Sequence, residues 1–218
     1  MELPGQIEIV DDVPRAFARL VVRTAPRSIA LSGGELAHLC YSALRNEPVD
    51  WSAVDVYFGD DRIVPLTSDD SNEGMARRVL LDGVKPRAVH SMVGSGADAY
   101  DALVRAAAPI DLVHLGLGPD GHTASLVPGD AVLDVTGADV AMTGSYQGRR
   151  RMTLTYPILN RTRRVVWVVT GSEKVEMLRR LRDGDVSIPA GRIARDQALL
   201  LADRAATGQL AAEYKRGG

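Results

Sequence analysis

Short apolar runs rich in β-branched residues alternate along this chain with longer amphipathic ones, and no other feature constrains the fold as much. The order runs "IEIV", "VPRAFARLVVRT", "SIALSGG", "ELAHLCYSALRN", "VDVYFGDDR", "SNEGMARRVLL", "GADAYDALVRAAA", "DLVHLGLG", "VVWVVTG", "SEKVEMLRRLRDG" and "ALLLAD". Continuous apolar runs have no side to turn to water, so they must be covered on both faces, and the helical segments between them supply the cover. The expected fold is α/β, a Rossmann-like open, mainly parallel sheet with helices on both faces. No long polar linker divides the chain, so residues 1–218 are expected to form one domain. Around residues 130–150 the pattern fades, and that stretch reads as a small surface excursion.

Charge and cysteine content narrow the setting. Lys and Arg total 26 against 28 Asp and Glu, a formal net charge of -2, which is no electrostatic footprint for nucleic acid. The densest basic stretch, "RTRR" at Arg161 to Arg164, lacks interleaved aromatics on which bases could stack and reads as a solvated turn. The single cysteine, Cys40, sits among apolar residues at helical spacing, so it reads as a small buried hydrophobe in a reducing compartment. No window approaches the ~18 apolar residues of a membrane span, and no basic-then-apolar leader opens the sequence. A cytoplasmic protein is expected, monomeric or homodimeric, with neither membrane nor nucleic acid as partner.

Ligands of open parallel sheets bind beyond the carboxyl ends of the strands. Four glycine- or charge-rich stretches fall there: "LSGG" (31–34), "FGDDR" (58–62), "LGLGPDGH" (115–122) and "VTGSEK" (169–174). Ser32, Gly33 and Gly34 precede a helix, so backbone N–H groups and a positive helix end can meet an anion, although a plain strand-to-helix turn would look the same. Asp60, Asp61 and Arg62 suit a polyhydroxylated anion as well as they suit a solvated turn. Asp120 and His122, one glycine apart, can share one cavity: an imidazole is a base near neutral pH, and a carboxylate beside it fixes its orientation. Arg150, Arg151 and Lys174 could complete the positive half of a phosphate pocket. His38, His90 and His114 show no H-E-x-x-H or clustered Cys/His spacing, so no metal site is expected. Ser125 lacks the G-x-S-x-G turn of a serine nucleophile.

Taken together and in order, "LSGG", "WSAVDVYFGDDRIVPLTSDDSNEGMARRVLL", "DLVHLGLGPDGHTASLVPG", "RRMTLTYPILN" and "VVWVVTGSEKVEML" resemble the 6-phosphogluconolactonase family, which shares its fold with the glucosamine-6-phosphate deaminases. The resemblance implies a small-molecule sugar phosphate as substrate. It implies cofactor-free hydrolysis of 6-phospho-D-glucono-1,5-lactone in the oxidative pentose phosphate pathway. His122 would then activate water, Asp120 and Arg62 would position base and substrate, and Asp60 would belong to the substrate- or phosphate-binding residues. Arg150 or Arg151, with Lys174 and the Ser32–Gly34 turn, would hold the phosphate. Where the family carries hydroxyl residues and proline after the two glycines, this chain has Glu35, Leu36 and Ala37, which removes donors and adds a carboxylate. Two rivals remain. A deaminase would place an acid where this chain has Val127, and a non-catalytic sugar-phosphate-binding module would need the cations but no base.

Overall fold

The computed structural model describes residues 6–208. Among the described residues there are ten strands: β1 (Gln6–Ile9), β2 (Ser28–Leu31), β3 (Asp55–Phe58), β4 (Asp60–Arg62), β5 (Ala88–Val89), β6 (Leu112–Leu115), β7 (Val140–Tyr146), β8 (Arg149–Leu154), β9 (Val165–Val169) and β10 (Ala198–Ala202). Between them lie the helices α1 (Val13–Thr24), α2 (Glu35–Leu44), α3 (Asn72–Val79), α4 (Met92–Ser95), α5 (Ala97–Ala107), α6 (Tyr156–Leu159), α7 (Val175–Asp183) and α8 (Arg204–Thr207). Helix starts are chemically marked. The Asp12 side chain accepts from Arg15 N ahead of α1, with proline in the first turn, and the Ser71 hydroxyl accepts from Gly74 N ahead of α3.

Seven strands form the main sheet in the order β1-β10-β9-β6-β2-β3-β5, and all pair in parallel. Every residue of β6, β9 and β10 is buried, which is possible only when both faces are covered, as the apolar runs require. Phe17, Tyr41, Phe58, Tyr100 and Trp167 are fully buried around the sheet, each such side chain contributing ~1.5–3 kcal/mol or more on leaving water. From β2 the chain steps outward to β3 and β5, then returns to the other side of β2 with β6 and proceeds through β9 to β10. The crevice where the order reverses, between the ends of β2 and β6, is where such sheets take ligands. The turn after β2 and the glycine-rich loop after β6 both open onto it.

Within the stretch around residues 130–150 that reads as an excursion, the chain from Val140 onward enters a second sheet, antiparallel, in the order β4-β8-β7. Its hairpin closes through Gln147 and Gly148, both at positive φ (52° and 74°), the two-residue turn whose twist matches antiparallel strands. The run "VDVYFGDDR", which reads as one strand, is two. It divides at Gly59, whose N–H donates to Leu31 O (2.7 Å) and whose carbonyl accepts from Leu154 N (2.8 Å), so a single residue is bonded into both sheets. Among the described residues no helix is long and apolar enough to cross a membrane.

Candidate active site

All four glycine- or charge-rich strand ends meet in one cavity of about 270 Å³, lined by Ser32, Gly33, Gly34, Asp60, Arg62, Asn72, residues 116–119, His122, Ala124, Arg151 and Lys174. The loop after β6 folds on itself: Gly118 N donates to His122 O (2.8 Å) and the Thr123 hydroxyl to Gly116 O (2.8 Å). A Cβ on Gly118 would fall 2.1 Å from His122 Nδ1, so the imidazole can lie here only against bare backbone. Asp120 Oδ1 stands 2.5 Å from His122 Nδ1 and also accepts from the His122 backbone N at 3.1 Å. Burial pushes the Asp120 carboxyl up, but the amide and ring of His122 outweigh it and hold the group below the usual carboxylate range. An ionised Asp120 keeps the Nδ1 proton on the imidazole and leaves the Nε2 lone pair free.

On β4 successive side chains point to opposite faces, which separates three adjacent charges by role. Asp61 is fully buried and accepts from the N–H groups of Asn72 (2.7 Å) and Glu73 (2.9 Å), closing the start of α3. Asp60 and Arg62 face the cavity. The Ser125 hydroxyl donates to Asp60 Oδ2 at 2.5 Å, so this serine supports a carboxylate and is no nucleophile. Arg62 Nη1 donates to Asn72 Oδ1 at 2.6 Å. Arg62 pairs in register with Arg151, whose side chain is also in the cavity wall. Arg151 is only 5% exposed and its Nε has no hydrogen-bond partner. Burial and the neighbouring Arg62 cation press its pKa down, a cost that an anion in the cavity would offset.

Between the two arginines left open by the sequence, the geometry selects Arg151. Arg150 is exposed and does not line the cavity, so the structure does not bring it together with the other candidate phosphate contacts. Hairpin register explains the difference, since Arg150 lies opposite Ser145 beside the turn that closes the hairpin while Arg151 lies opposite Arg62. Glu35 is exposed and outside the cavity lining; it lines an adjoining hollow of about 500 Å³ that shares the Ser32–Gly34 turn, Gly116, Leu117 and Lys174 with the cavity.

Sequence reasoning missed Asn72, which joins Arg62 to Asp60 through its two amide atoms (2.6 Å to Arg62 Nη1, 2.9 Å to the Asp60 carbonyl), and a Cβ on Gly33 would land 1.8 Å from its Oδ1. A polar residue opening the helix after a strand-end charge cluster was the available signal. Tyr146 and Gln147 were also missed, and the two-residue "QG" between strand-like runs was the cue. Behind the glycine turn, the Tyr41 hydroxyl accepts from Ser32 N (2.6 Å), donates to Ser32 O (3.1 Å) and meets His114 Nδ1 at 2.9 Å. This pins the backbone that faces the cavity. Cys40, on the same helix, is buried as expected, and burial pushes its thiol up to about 12.

A carboxylate-held base facing Arg62, Arg151 and Lys174 is machinery for acting on a small anionic molecule, and the fold places this protein among the α/β enzymes that keep such machinery at a sheet's switch point. The family model described as "Glucosamine-6-phosphate isomerases/6-phosphogluconolactonase" matches residues 7–201, and the chain belongs to that family. Among its relatives, the 6-phosphogluconolactonase of Mycobacterium tuberculosis is 36% identical, with 89% of this chain and 90% of the relative aligned. That of Synechocystis is 35% identical over 76% of this chain and 75% of its own. The solved 6-phosphogluconolactonase from Trypanosoma cruzi superposes with a TM-score of 0.84 at 25% identity, covering 96% of this chain and 98% of its own. A monomeric glucosamine-6-phosphate deaminase, at 16% identity and a TM-score of 0.77 over 92% of this chain and 98% of its own, shares the fold.

Proposed function

We propose that this chain hydrolyses 6-phospho-D-glucono-1,5-lactone to 6-phospho-D-gluconate, the second step of the oxidative pentose phosphate pathway, with His122 as general base and no cofactor. The observation that carries the reading is the His122–Asp120 pair at 2.5 Å in one cavity with Arg62, Arg151 and Lys174. Family membership and the lactonase relatives support the same substrate. Nε2 takes a proton from water as the water oxygen attacks the lactone carbonyl carbon. The tetrahedral intermediate collapses, the bond to the ring oxygen breaks, and the imidazolium returns its proton to that oxygen. A positioned base contributes typically 10² to 10⁴ in rate, enough for an already reactive lactone once the substrate is held in place.

The phosphate is assigned to Arg151, Lys174 and the backbone of the Ser32–Gly34 turn at the start of α2, where helix end and cations act together. Arg62, fixed by Asn72, positions the sugar, and Asp60 accepts from a substrate hydroxyl. Val127 is buried and outside the cavity lining, so no carboxylate stands where a deaminase would need one. A non-catalytic module has no use for the base that Asp120 orients here. We place the activity in the cytoplasm, the reducing setting that a lone buried thiol suits.

The test generates the lactone in situ from glucose 6-phosphate and compares its disappearance without protein, with protein and with the His122→Ala variant, because the lactone also opens spontaneously. Acceleration that vanishes in the variant supports both substrate and base. Acceleration that survives in the variant overturns the base, and none with the unaltered protein overturns the reading.

A further inference from the structure

Tyr146, the last residue of β7, touches both chemical halves of the cavity while belonging to neither. Its hydroxyl is 3.5 Å from Asp120 Oδ2, the oxygen not engaged by His122. Its ring meets the His122 ring edge-on, with centroids 5.6 Å apart, and the Arg151 guanidinium carbon lies 4.9 Å from the Tyr146 ring centroid. The next residue, Gln147, accepts from Arg151 Nη2 at 3.2 Å through its side-chain oxygen. The hairpin tip is thus built around the arginine and against the base.

We propose that Tyr146 is a positioning residue that couples the general base to the anion site: its hydroxyl steadies Asp120, and through it His122, while its ring face holds Arg151 toward the substrate's phosphate. The inference rests on the lactonase reading above. At 3.5 Å the hydroxyl is at the outer limit of hydrogen bonding, and such contacts commonly tighten in the substrate complex. A cation held over an aromatic face keeps its N–H groups free for a ligand, which a carboxylate partner would consume. Burial and Asp120 push the Tyr146 hydroxyl above the ordinary phenol range, so it is protonated and able to donate near neutral pH. The titratable and charged groups facing it are Asp120, His122 and Arg151, in direct contact, and Arg149, its cross-strand neighbour on β8, whose guanidinium pairs with Asp70.

Two variants separate the functions. Tyr146→Phe keeps the ring and removes the hydroxyl. It should lower kcat roughly three- to tenfold with KM little changed. Without the donor, the Asp120 charge is felt more fully by the imidazole, so the acidic limb of the pH–rate profile should move up. Tyr146→Leu removes the ring as well and should additionally raise KM roughly five- to tenfold, an effect absent from the Phe variant. A merely structural role would move neither the pH limb nor KM separately from kcat.

The same quantities are read without turnover by following the His122 ring proton across pH by NMR and by titrating 6-phosphogluconate calorimetrically. Wild-type protein without lactonase activity would sink the functional reading alone, because these two measurements still decide the coupling. An unshifted His122 midpoint and pH limb in Tyr146→Phe would overturn the inference, as would unchanged KM and 6-phosphogluconate affinity in Tyr146→Leu.

Discussion

The parallel sheet reaches the cavity with backbone and loops, whereas the antiparallel sheet reaches it with long side chains. From the first come the pinned Ser32–Gly34 turn, the self-bonded loop that presents His122, and Lys174 just beyond the end of β9. From the second come Asp60, Arg62 and Arg151. Strands buried on both faces cannot carry charge, so the large sheet offers chemistry only where its chain leaves the core. A short ribbon with one free face can carry a charged residue at every second position. On the proposed roles the labour is divided in part: the base comes from the parallel sheet, Asp60 and Arg62 reach the sugar from the antiparallel one, and the phosphate is met from both, by the Ser32–Gly34 turn and Lys174 on one side and Arg151 on the other.

The strongest way to break this comparison is His122→Ala. It should lower kcat by about 10² to 10⁴ while 6-phosphogluconate still binds, and loss of binding along with turnover would mean that the two sheets do not divide the work as stated. Next is the seam. Gly33→Ala puts a methyl where the Asn72 amide lies, displacing the partner of Arg62 from the opposite sheet. A misplacement on the order of 1 Å commonly costs about a hundredfold, so kcat/KM should fall by roughly that much, and normal activity in the Gly33→Ala variant would show that the contact across the seam is slack.

The cations give a finer test. Arg151→Ala and Lys174→Ala should each raise KM about tenfold or more with kcat nearly preserved, as expected for charge-assisted contacts made equally in ground and transition states. Equal losses in kcat and KM for either cation and for His122→Ala would blur the assigned roles.

The smallest effect near neutral pH concerns the scaffold. Burial pushes His114 down to about 3 from an ordinary 6.5. Below pH ~6.5 the unfolded chain binds a proton that the folded chain refuses. The stability contribution is therefore present above that pH and is lost as pH falls toward 3, by up to ~1.4 kcal/mol per unit. Asp120, also held low, acts with the same sign below pH ~4. Urea unfolding from pH 7 to 4.5 should show the slope in the wild type and a flatter one in His114→Gln, and parallel curves would remove His114 from this role.

The contrast between the sheets also sets what could be read from the sequence. Apolar strands such as "VVWVV" announce themselves because burial on both faces leaves no other composition available. The loop bearing Asp120 and His122 was legible because close packing of an imidazole on backbone demands glycine. The small sheet has no such signature. Its β8 begins with three arginines of different fates: Arg149 pairs with Asp70, Arg150 is exposed, and Arg151 enters the cavity. Only the pairing of Arg62 with Arg151 settles which one turns inward, and that pairing joins residues far apart in the chain. The division of β3 from β4 was hidden for a related reason, since a sheet change at Gly59 leaves the local pattern unbroken. The Tyr41–His114 contact behind the glycine turn joins positions 73 residues apart and has no sequence signal at all.

Gly59 has a kinetic consequence. Because its N–H is bonded into one sheet and its carbonyl into the other, the chain passes from one wall of the cavity to the other at a single residue, with no intervening length to flex. Opening by swinging one wall away would break those bonds, so a ligand is expected to leave by rotation of lining side chains, Arg62 and Lys174 among them. Such rotations belong to the picosecond-to-nanosecond range of partly exposed groups, well ahead of the microsecond-to-millisecond lid motions that limit many enzymes. The traffic of ligand through this cavity is then governed by rotamers, and its pace is set by how long the cations hold on.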